Sequence, residues 1–405
     1  MAEVIIGLDL GSAQIKGIVA VPKKDGALSV ISAFKQPSAG FRKGVLVDPE
    51  EAVKVLRDLV LDLQKISKQC TENIFININS EHVKARTSKG LAAVARADRE
   101  IQEDDVVRVI ESAQSLKPSL NHLALHNIVR EYFIDDVGDI LNPVGMTGNR
   151  LEVDTLIIEA FAPHVNLLLK CLRQAGARVG GLIFNSLASS RATLSKNAKD
   201  LGVLMLDFGF GTTTMALFEE NKVRHVKSFP IGCGYLTNDI AVGLKTSIDA
   251  AEKLKSTYGY ALAKDVSRRE VIKMEEFDQA NKNEIPRRFL AEIIEVRLAE
   301  LLDLINNELK IVGHTTQLPA GAVITGGGVK LAGMTELTRH HLKLPVQIGF
   351  PDLKNFEILN PAHQELIDDP EFATAVGLVL WGVNERPRSR SIQRMIIDFF
   401  KNLKP

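Results

Sequence analysis

Two stretches of this chain set an acid, glycines and hydroxyls at the end of an apolar run. Leu204 to Thr214 reads LMLDFGFGTTT, so Asp207 closes the run and Gly209, Gly211, Thr212 and Thr213 follow. The pattern predicts a buried strand feeding a tight hairpin. Glycines there can take backbone angles closed to other residues and let amide N–H groups approach an anion, while the threonine hydroxyls add donors. Asp207, at the strand end, can face a hydrated Mg²⁺. An ordinary hairpin has the same signature, so the motif alone is not specific. Val4 to Ser12, VIIGLDLGS, repeats it with Asp9, Gly11 and Ser12, and Ile15 to Val21 returns as a second strand. Two such half-sites far apart predict an internal duplication, with two lobes clamping a polyphosphate between opposed hairpins.

Other residues have weaker claims. Glu252 and Lys255 are three apart on one helical face, where they could reach a single ligand or form a plain surface ion pair. The helix expected to carry them, with Asn238 and Asp239, opens at Ser228 to Thr237, SFPIGCGYLT. Ala322 to Gly328, AVITGGG, repeats the strand-then-glycine theme without an acid. Gly326, Gly327 and Gly328 remove every side chain from one turn, which lets a flat group such as adenine lie against bare backbone; a plain strand-to-helix turn is the competing reading. Arg287, Arg288 and Arg297 lie off the stripe of Leu290, Ile293, Ile294, Leu298, Leu301, Leu302 and Ile305 on a long amphipathic helix. They are either solvated or placed to receive an acidic partner.

The elements that must position these groups follow an alternating α/β rhythm. Asp48 as cap, Pro49 at the first position and Glu50 and Glu51 in the first turn start a helix along which Ala52, Leu56, Leu59, Leu63 and Ile66 recur. Asn73 to Asn79 alternates like a strand. From Glu81 to Pro163 the rhythm changes: an acid-rich helix start (Gln102 to Ala113), a strand-like Asn127 to Ile134 and a turn-rich Asn142 to Asp154. This reads as an inserted subdomain, against a long excursion within the first domain. Val165 to Gln174, closed by Gly176, is a helix; Val179 to Phe184 is a strand, and Asn185 to Leu194 a helix linking the lobes. Val329 to Leu342, Val346 to Ile348 and Pro370 to Leu380 complete the second lobe.

Size and composition bound the rest. At 405 residues the chain is too long for one core. Lys plus Arg and Asp plus Glu number 50 each, so no global field draws the chain to nucleic acid, and no nucleic-acid partner is expected. Cys70, Cys171 and Cys233 are too widely spaced for a metal knuckle or disulfide framework, which fits a reducing cytoplasm. No apolar run is long enough to span a bilayer, and the first lacks the basic flank of a signal peptide.

The order of these motifs resembles the actin-like ATPase superfamily and, within it, the bacterial cell-division family FtsA. GLDLGSAQIK (Gly7 to Lys16), NPVGMTGNRLEVD (Asn142 to Asp154), FPIGCGYLTNDIA (Phe229 to Ala241), AEKLK (Ala251 to Lys255) and AVITGGGVKLAGM (Ala322 to Met334) carry the likeness. It implies an α/β, actin-like, duplicated ribonuclease-H-like, two-lobed ATPase fold. Residues 1–81 and 164–195 would form the first lobe and 82–163 the FtsA-type insert. Residues 196–227 and 309–384 would form the second lobe, with 228–308 its smaller subdomain. Gly11, Ser12, Ala13, Gln14, Lys16, Gly209, Gly211, Thr212 and Thr213 would hold the phosphates of ATP, with Asp9 and Asp207 near Mg²⁺. Glu252 and Lys255 would approach ribose and adenine, against Gly326, Gly327 and Gly328. Gln14 stands where the family often has Lys, Phe210 where a third glycine is usual, Thr214 where Asp is common, and Cys233 in place of a glycine. No residue is assigned to activate a hydrolytic water, and at most weak ATPase activity is implied.

The end of the chain adds a linker, residues 385–391 (ERPRSRS), and a helix expected over residues 392–405. At about 100° per residue Ile392, Met395, Ile396, Phe399, Phe400 and Leu403 fall in one arc, opposite Arg394, Lys401 and Lys404. A terminal helix docked on the body would show the same pattern. The basic linker, at roughly 1 kcal/mol per Arg near anionic lipid, and the family's tails favour a membrane-targeting helix. The resemblance thus implies a scaffold at the cytoplasmic face of the division site. It would polymerise with itself, bind anionic inner-membrane lipids, take the C-terminal peptide of the tubulin-like FtsZ near Arg288 and Arg297, and recruit later division proteins through the insert. A small-molecule kinase with the same clamp would need a carboxylate base, for which no acid beyond Asp9 and Asp207 has a claim. A PilM-like pilus adaptor would leave the basic amphipathic tail unexplained.

Overall fold

A computed structural model describes residues 4–115, 118–278, 281–313 and 318–384. The tail read as linker and membrane helix, Ile392, Arg394, Met395, Ile396, Phe399, Phe400, Lys401 and Leu403 included, lies outside the described residues.

Two sheets of matching topology organise the chain. In the first, the acid-ending strand Ile5–Leu10 pairs antiparallel with Gln14–Pro22, which pairs with Leu28–Pro37; on its other side lie the parallel strands Ile74–Ile78 and Val179–Phe184. In the second, Val203–Phe208 pairs antiparallel with Thr213–Glu219 and that with Lys222–Phe229, while Ala322–Thr325 and Val346–Ile348 lie parallel on the other side. Every residue of both acid-ending strands is buried, as strands covered on both faces must be. The expected first-lobe helix is Pro49–Ile66, and the Asp48 side chain accepts the Glu50 and Glu51 N–H groups at 3.1 Å each, a cap worth about 1 kcal/mol.

Residues 84–161 build a separate four-stranded sheet in the order 84–93, 150–161, 122–134, 137–140, covered by the helix Glu103–Gln114. It has its own core, with Val109, Ile101, Leu151 and Val153 fully enclosed. The stretch read as turn-rich to Asp154 stops being a turn at Asn149; Arg150–Phe161 is the central strand, pairing on both sides.

Two further expectations are corrected. The helix that was to carry both Asp239 and Glu252 is two helices, Cys233–Leu244 and Ile248–Tyr258, broken where Lys245 turns left-handed at φ 50° and Ser247 caps the second by accepting the Ala250 N–H. Residues 309–384 do not belong wholly to the second lobe: Phe356–Ile358 adds a parallel strand beside Leu28–Val30 of the first sheet. The helix Ala373–Asn384 also returns there, packing on Ile5–Leu10 and on the linking helix Asn185–Thr193. Its sequence, ATAVGLVLWGVN, is apolar all round and has no face to give to water. At Gly377 a Cβ would lie 1.8 Å from the Ala188 carbonyl oxygen, so only glycine permits the approach.

Candidate functional site

The two hairpin turns are built alike. The Gly11 N–H donates to the Gln14 carbonyl at 3.1 Å, and the Gly209 N–H to that of Thr212 at 3.0 Å. A Cβ on Gly11 would stand 2.5 Å from the Gln14 oxygen, and one on Gly209 2.9 Å from the Thr212 oxygen. Neither glycine takes a positive φ; tightness of the turn, and not a left-handed backbone, demands them. The turns then meet, since a Cβ on Gly211 would fall 2.4 Å from Ser12 Oγ.

Between them lies a cleft of about 640 Å³. Asp9, Gly11, Ser12, Ala13, Gln14 and Lys16 line it from the first lobe, and Asp207, Gly209, Gly211 and Thr212 from the second. Glu252, Lys255, Gly326, Gly327 and Gly328 line it too, and Gly326 lies so close to Asp207 that a Cβ there would stand 2.5 Å from its Oδ1. Thr213 does not reach it: it begins a strand, is fully buried, and spends its hydroxyl on the Ile231 carbonyl at 2.8 Å. Phe210 sits at the lip, 39% exposed, with the Lys255 ammonium 5.4 Å from its ring centre.

The carboxylates are joined by two amides that motif reading missed. Asn77 Nδ2 donates to Asp9 Oδ1 at 2.7 Å and to Asn185 Oδ1 at 2.8 Å; Asn185 Nδ2 donates to Asp207 Oδ2 at 3.0 Å and to Thr214 Oγ1 at 3.2 Å. Thr374 Oγ1 adds a donor to Asp207 at 2.9 Å, and Asn77 Oδ1 takes the Leu10 N–H at 2.7 Å. A signal existed: NIFININ places Asn77 inside a strand whose five residues are all buried, and a buried amide needs partners. What it bonds to is 68 and 108 residues away.

Electrostatics differ between the halves. Burial, then repulsion from Asp9, pushes the Asp207 carboxyl up to about 6, against the pull of Thr374, Lys16 and Asn185. Burial would lower Lys16, yet Asp9, Glu371 and Asp207 outweigh it and hold its ammonium above the ordinary value. Lys255 Nζ donates to Glu252 Oε2 at 2.7 Å, Thr237 Oγ1 at 2.8 Å and the Cys233 carbonyl at 3.2 Å, which fixes its position. Burial raises the Cys233 thiol to about 11, leaving it an inert packing group against Gly328, whose Cβ would lie 2.5 Å from its sulfur.

Among the described residues no group of three or more His, Cys, Asp or Glu is arranged to hold a metal. Two carboxylates on one cleft fit Mg²⁺, which keeps most of its waters and relies on phosphate oxygens for the rest. The arginines offered to a partner are engaged: Arg297 holds Asp239 at 2.6 and 3.1 Å and also pairs with Glu300, while Arg288 Nε reaches Glu292 at 3.3 Å. No helix among the described residues is long and apolar enough to cross a membrane.

One chain of the PilM–PilN type IV pilus biogenesis complex superposes with a TM-score of 0.66 at 18% identity, covering 94% of this chain and 98% of that one. MreB 5 of Spiroplasma citri bound to AMPPNP does so with 0.55 at 13% identity, covering 99% of each. The duplicated sheets, the cleft between them and these likenesses define an actin-like ATPase fold. Residues 204–377 match the family described as cell division protein FtsA, and residues 80–159 the SHS2 domain inserted in FtsA. The chain is 32% identical to the cell division protein FtsA of Pseudomonas aeruginosa over 96% of its own length and 92% of that protein's. It is 30% identical to that of Bacillus subtilis, over 96% and 86%. The chain belongs to the FtsA family of cell-division proteins.

Proposed function

We propose that this chain binds Mg·ATP in the cleft and acts as a filament-forming scaffold that holds FtsZ at the cytoplasmic membrane. The observation that carries it is the meeting of two glycine turns, each behind an acid, at the Ser12–Gly211 contact. Backbone N–H groups of the turns, with the Ser12 and Thr212 hydroxyls, would bind phosphate oxygens, and Lys16 would supply countercharge. Asp9 and Asp207 would hold the hydrated Mg²⁺. Glu252 and Lys255 would face the ribose and adenine beside Gly326–Gly328. AMPPNP in MreB 5 supports the nucleotide. Binding of Mg·ATP, measured calorimetrically, should weaken by at least about tenfold in Asp207→Asn; an unaltered chain that binds no nucleotide would sink the reading.

The scaffold role rests on sequence and surface. The sequence leads one to expect an amphipathic helix over residues 392–405; one such helix would bind lipid reversibly, and assembly into filaments would make later contacts intramolecular. Replacing Phe399 and Phe400 with Glu should abolish co-sedimentation with anionic vesicles. For the FtsZ peptide the exposed stripe of Phe289 and Val296, seven apart on the helix Arg287–Ile311, would supply the apolar contact, together with the exposed Val242 of the helix Cys233–Leu244 that packs on it. Arg288 and Arg297 would exchange Glu292 and Glu300 for the acids of the peptide. Charge reversal at both should weaken peptide binding.

A further inference from the structure

Lys16 and Lys35 are direct cross-strand neighbours in the first sheet, and both line the cleft. Like charges set opposite one another are unfavourable unless each finds an anion. Lys16 takes Asp9 at 3.3 Å; Lys35 takes Glu371 Oε2 at 2.6 Å. A third ammonium comes from the other lobe, immediately after the glycine turn: Lys330 reaches Glu371 Oε1 at 2.7 Å and Asp369 at 2.6 Å. Each oxygen of Glu371 therefore holds a lysine from a different lobe.

The position of Glu371 suits it to bridge. It sits in the turn Pro370–Phe372, where the Pro370 carbonyl accepts from Thr325 Oγ1 at 3.0 Å and from the Gly326 N–H at 3.2 Å, tying the turn to the second sheet. The helix that follows packs on the first sheet. The Glu371 side chain is 12% exposed, and Lys35 and Lys330 are 30% and 49% exposed. Burial would raise this carboxyl, but Lys330, Lys35 and Lys16 together hold it below the ordinary carboxylate range. Nothing in the nucleotide reading uses Glu371, Lys35 or Lys330.

We propose that Lys16, Lys35 and Lys330 form one cationic subsite for the phosphate chain of the cleft's ligand, and that Glu371 is its resident counter-ion, displaced when a polyphosphate enters. The inference deepens the nucleotide reading and rests on it. A ligand must offer enough negative charge to replace two charge-assisted bonds at once, so the subsite favours di- and triphosphates over a single phosphate group. Displacement also exchanges one link between the lobes for another: Glu371 holds Lys35 and Lys330 before the ligand arrives, and phosphate oxygens hold them after.

The test is calorimetric titration of inorganic tripolyphosphate, and separately of Mg·ATP, into the unaltered chain and E371Q, with thermal melting to show that each variant is folded. E371Q should bind tripolyphosphate about five- to tenfold more tightly at low salt, with a steeper loss of affinity as salt rises. K35Q and K330Q, each in the otherwise unaltered chain, should bind it about three- to tenfold more weakly. Unchanged or weaker binding by E371Q, or lysine variants that bind like the unaltered chain, overturns the subsite. Tripolyphosphate binding without Mg·ATP binding would overturn the nucleotide reading and leave the subsite standing. Mg·ATP binding that is indifferent to all three substitutions would do the reverse, and binding of neither ligand would remove both.

Discussion

Asp9 and Asp207 end equivalent strands, and the glycine two residues on makes the same turn in each, yet the two carboxylates live in different company. Asp9 has an ammonium beside it, Lys16 at 3.3 Å. Asp207 is in no ion pair among the described residues; its Oδ2 accepts only from neutral donors, Asn185 and Thr374, and its carboxyl is pushed up to about 6. Duplication preserved the backbone, because the turn tolerates little else. The countercharge was free to diverge. One half-site carries its countercharge, and the other holds a buried carboxylate among neutral donors.

The sharpest way to break this comparison is to neutralise each acid in turn, without nucleotide. Asp9→Asn leaves Lys16 nearly buried beside a neutral amide and should lower the unfolding free energy by about 2–4 kcal/mol. Asp207→Asn removes burial and repulsion costs and should raise it by about 1 kcal/mol. Urea unfolding at neutral pH measures both; shifts of the same sign would mean that the halves are not electrostatically distinct.

Next come the amides that join the halves. Asn77→Ala and Asn185→Ala should each cost about 2–3 kcal/mol through stranded buried partners, with the double variant losing about 1 kcal/mol less than the sum. Strict additivity would show that Asp9 and Asp207 are held independently.

A pH effect should fall on the first half. His126 Nε2, in the inserted sheet, accepts the Phe184 N–H at 3.0 Å, next to Asn185, and its ring stands 5.4 Å from Trp381. Burial lowers its pKa to about 4. Because the folded value lies below the unfolded one, the unfolded chain takes the proton first. Stability from this site is complete above the ordinary value of about 6.5 and is lost as pH falls toward about 4, by up to roughly 2–3 kcal/mol. His126→Gln should flatten that part of the pH–stability curve; an unchanged slope would remove the assignment. In the second half His225 is also lowered by burial, but Glu308 at 2.8 Å opposes the shift.

The smallest expected effect belongs to Phe210. Phe210→Ala loses the contact with Lys255 and should cost about 0.5–1 kcal/mol in chemical denaturation. A larger loss would make the ring part of the second turn's framework.

The hairpins and the capped helix at Asp48 were legible because each is a local pattern: strand, acid and glycine within a dozen residues, or a cap with its first turn. The resemblance to FtsA was legible for the same reason, in motifs read one at a time. Asn185 and Asn77 were not, since an amide's worth depends on what faces it across the fold. Thr213 looked like Thr212 in the sequence and parted from it only when strand alternation turned its hydroxyl toward Ile231. Arg297 looked available until Asp239, 58 residues earlier, was folded against it.

Sequence by itself determined that there would be two acid-and-glycine turns, that most of the chain would alternate strand and helix, and that a differently patterned segment would interrupt the first lobe. Residue type and spacing set those features, through backbone sterics and the burial of apolar faces. Tertiary structure alone decided that Phe356–Ile358 and Ala373–Asn384 cross back to the first sheet, that Asn77 and Asn185 join the two acids, and that Glu371 stands between lysines of opposite lobes. Each of those depends on groups far apart along the chain, whose meeting is fixed by how whole sheets pack and by no local preference of the residues themselves.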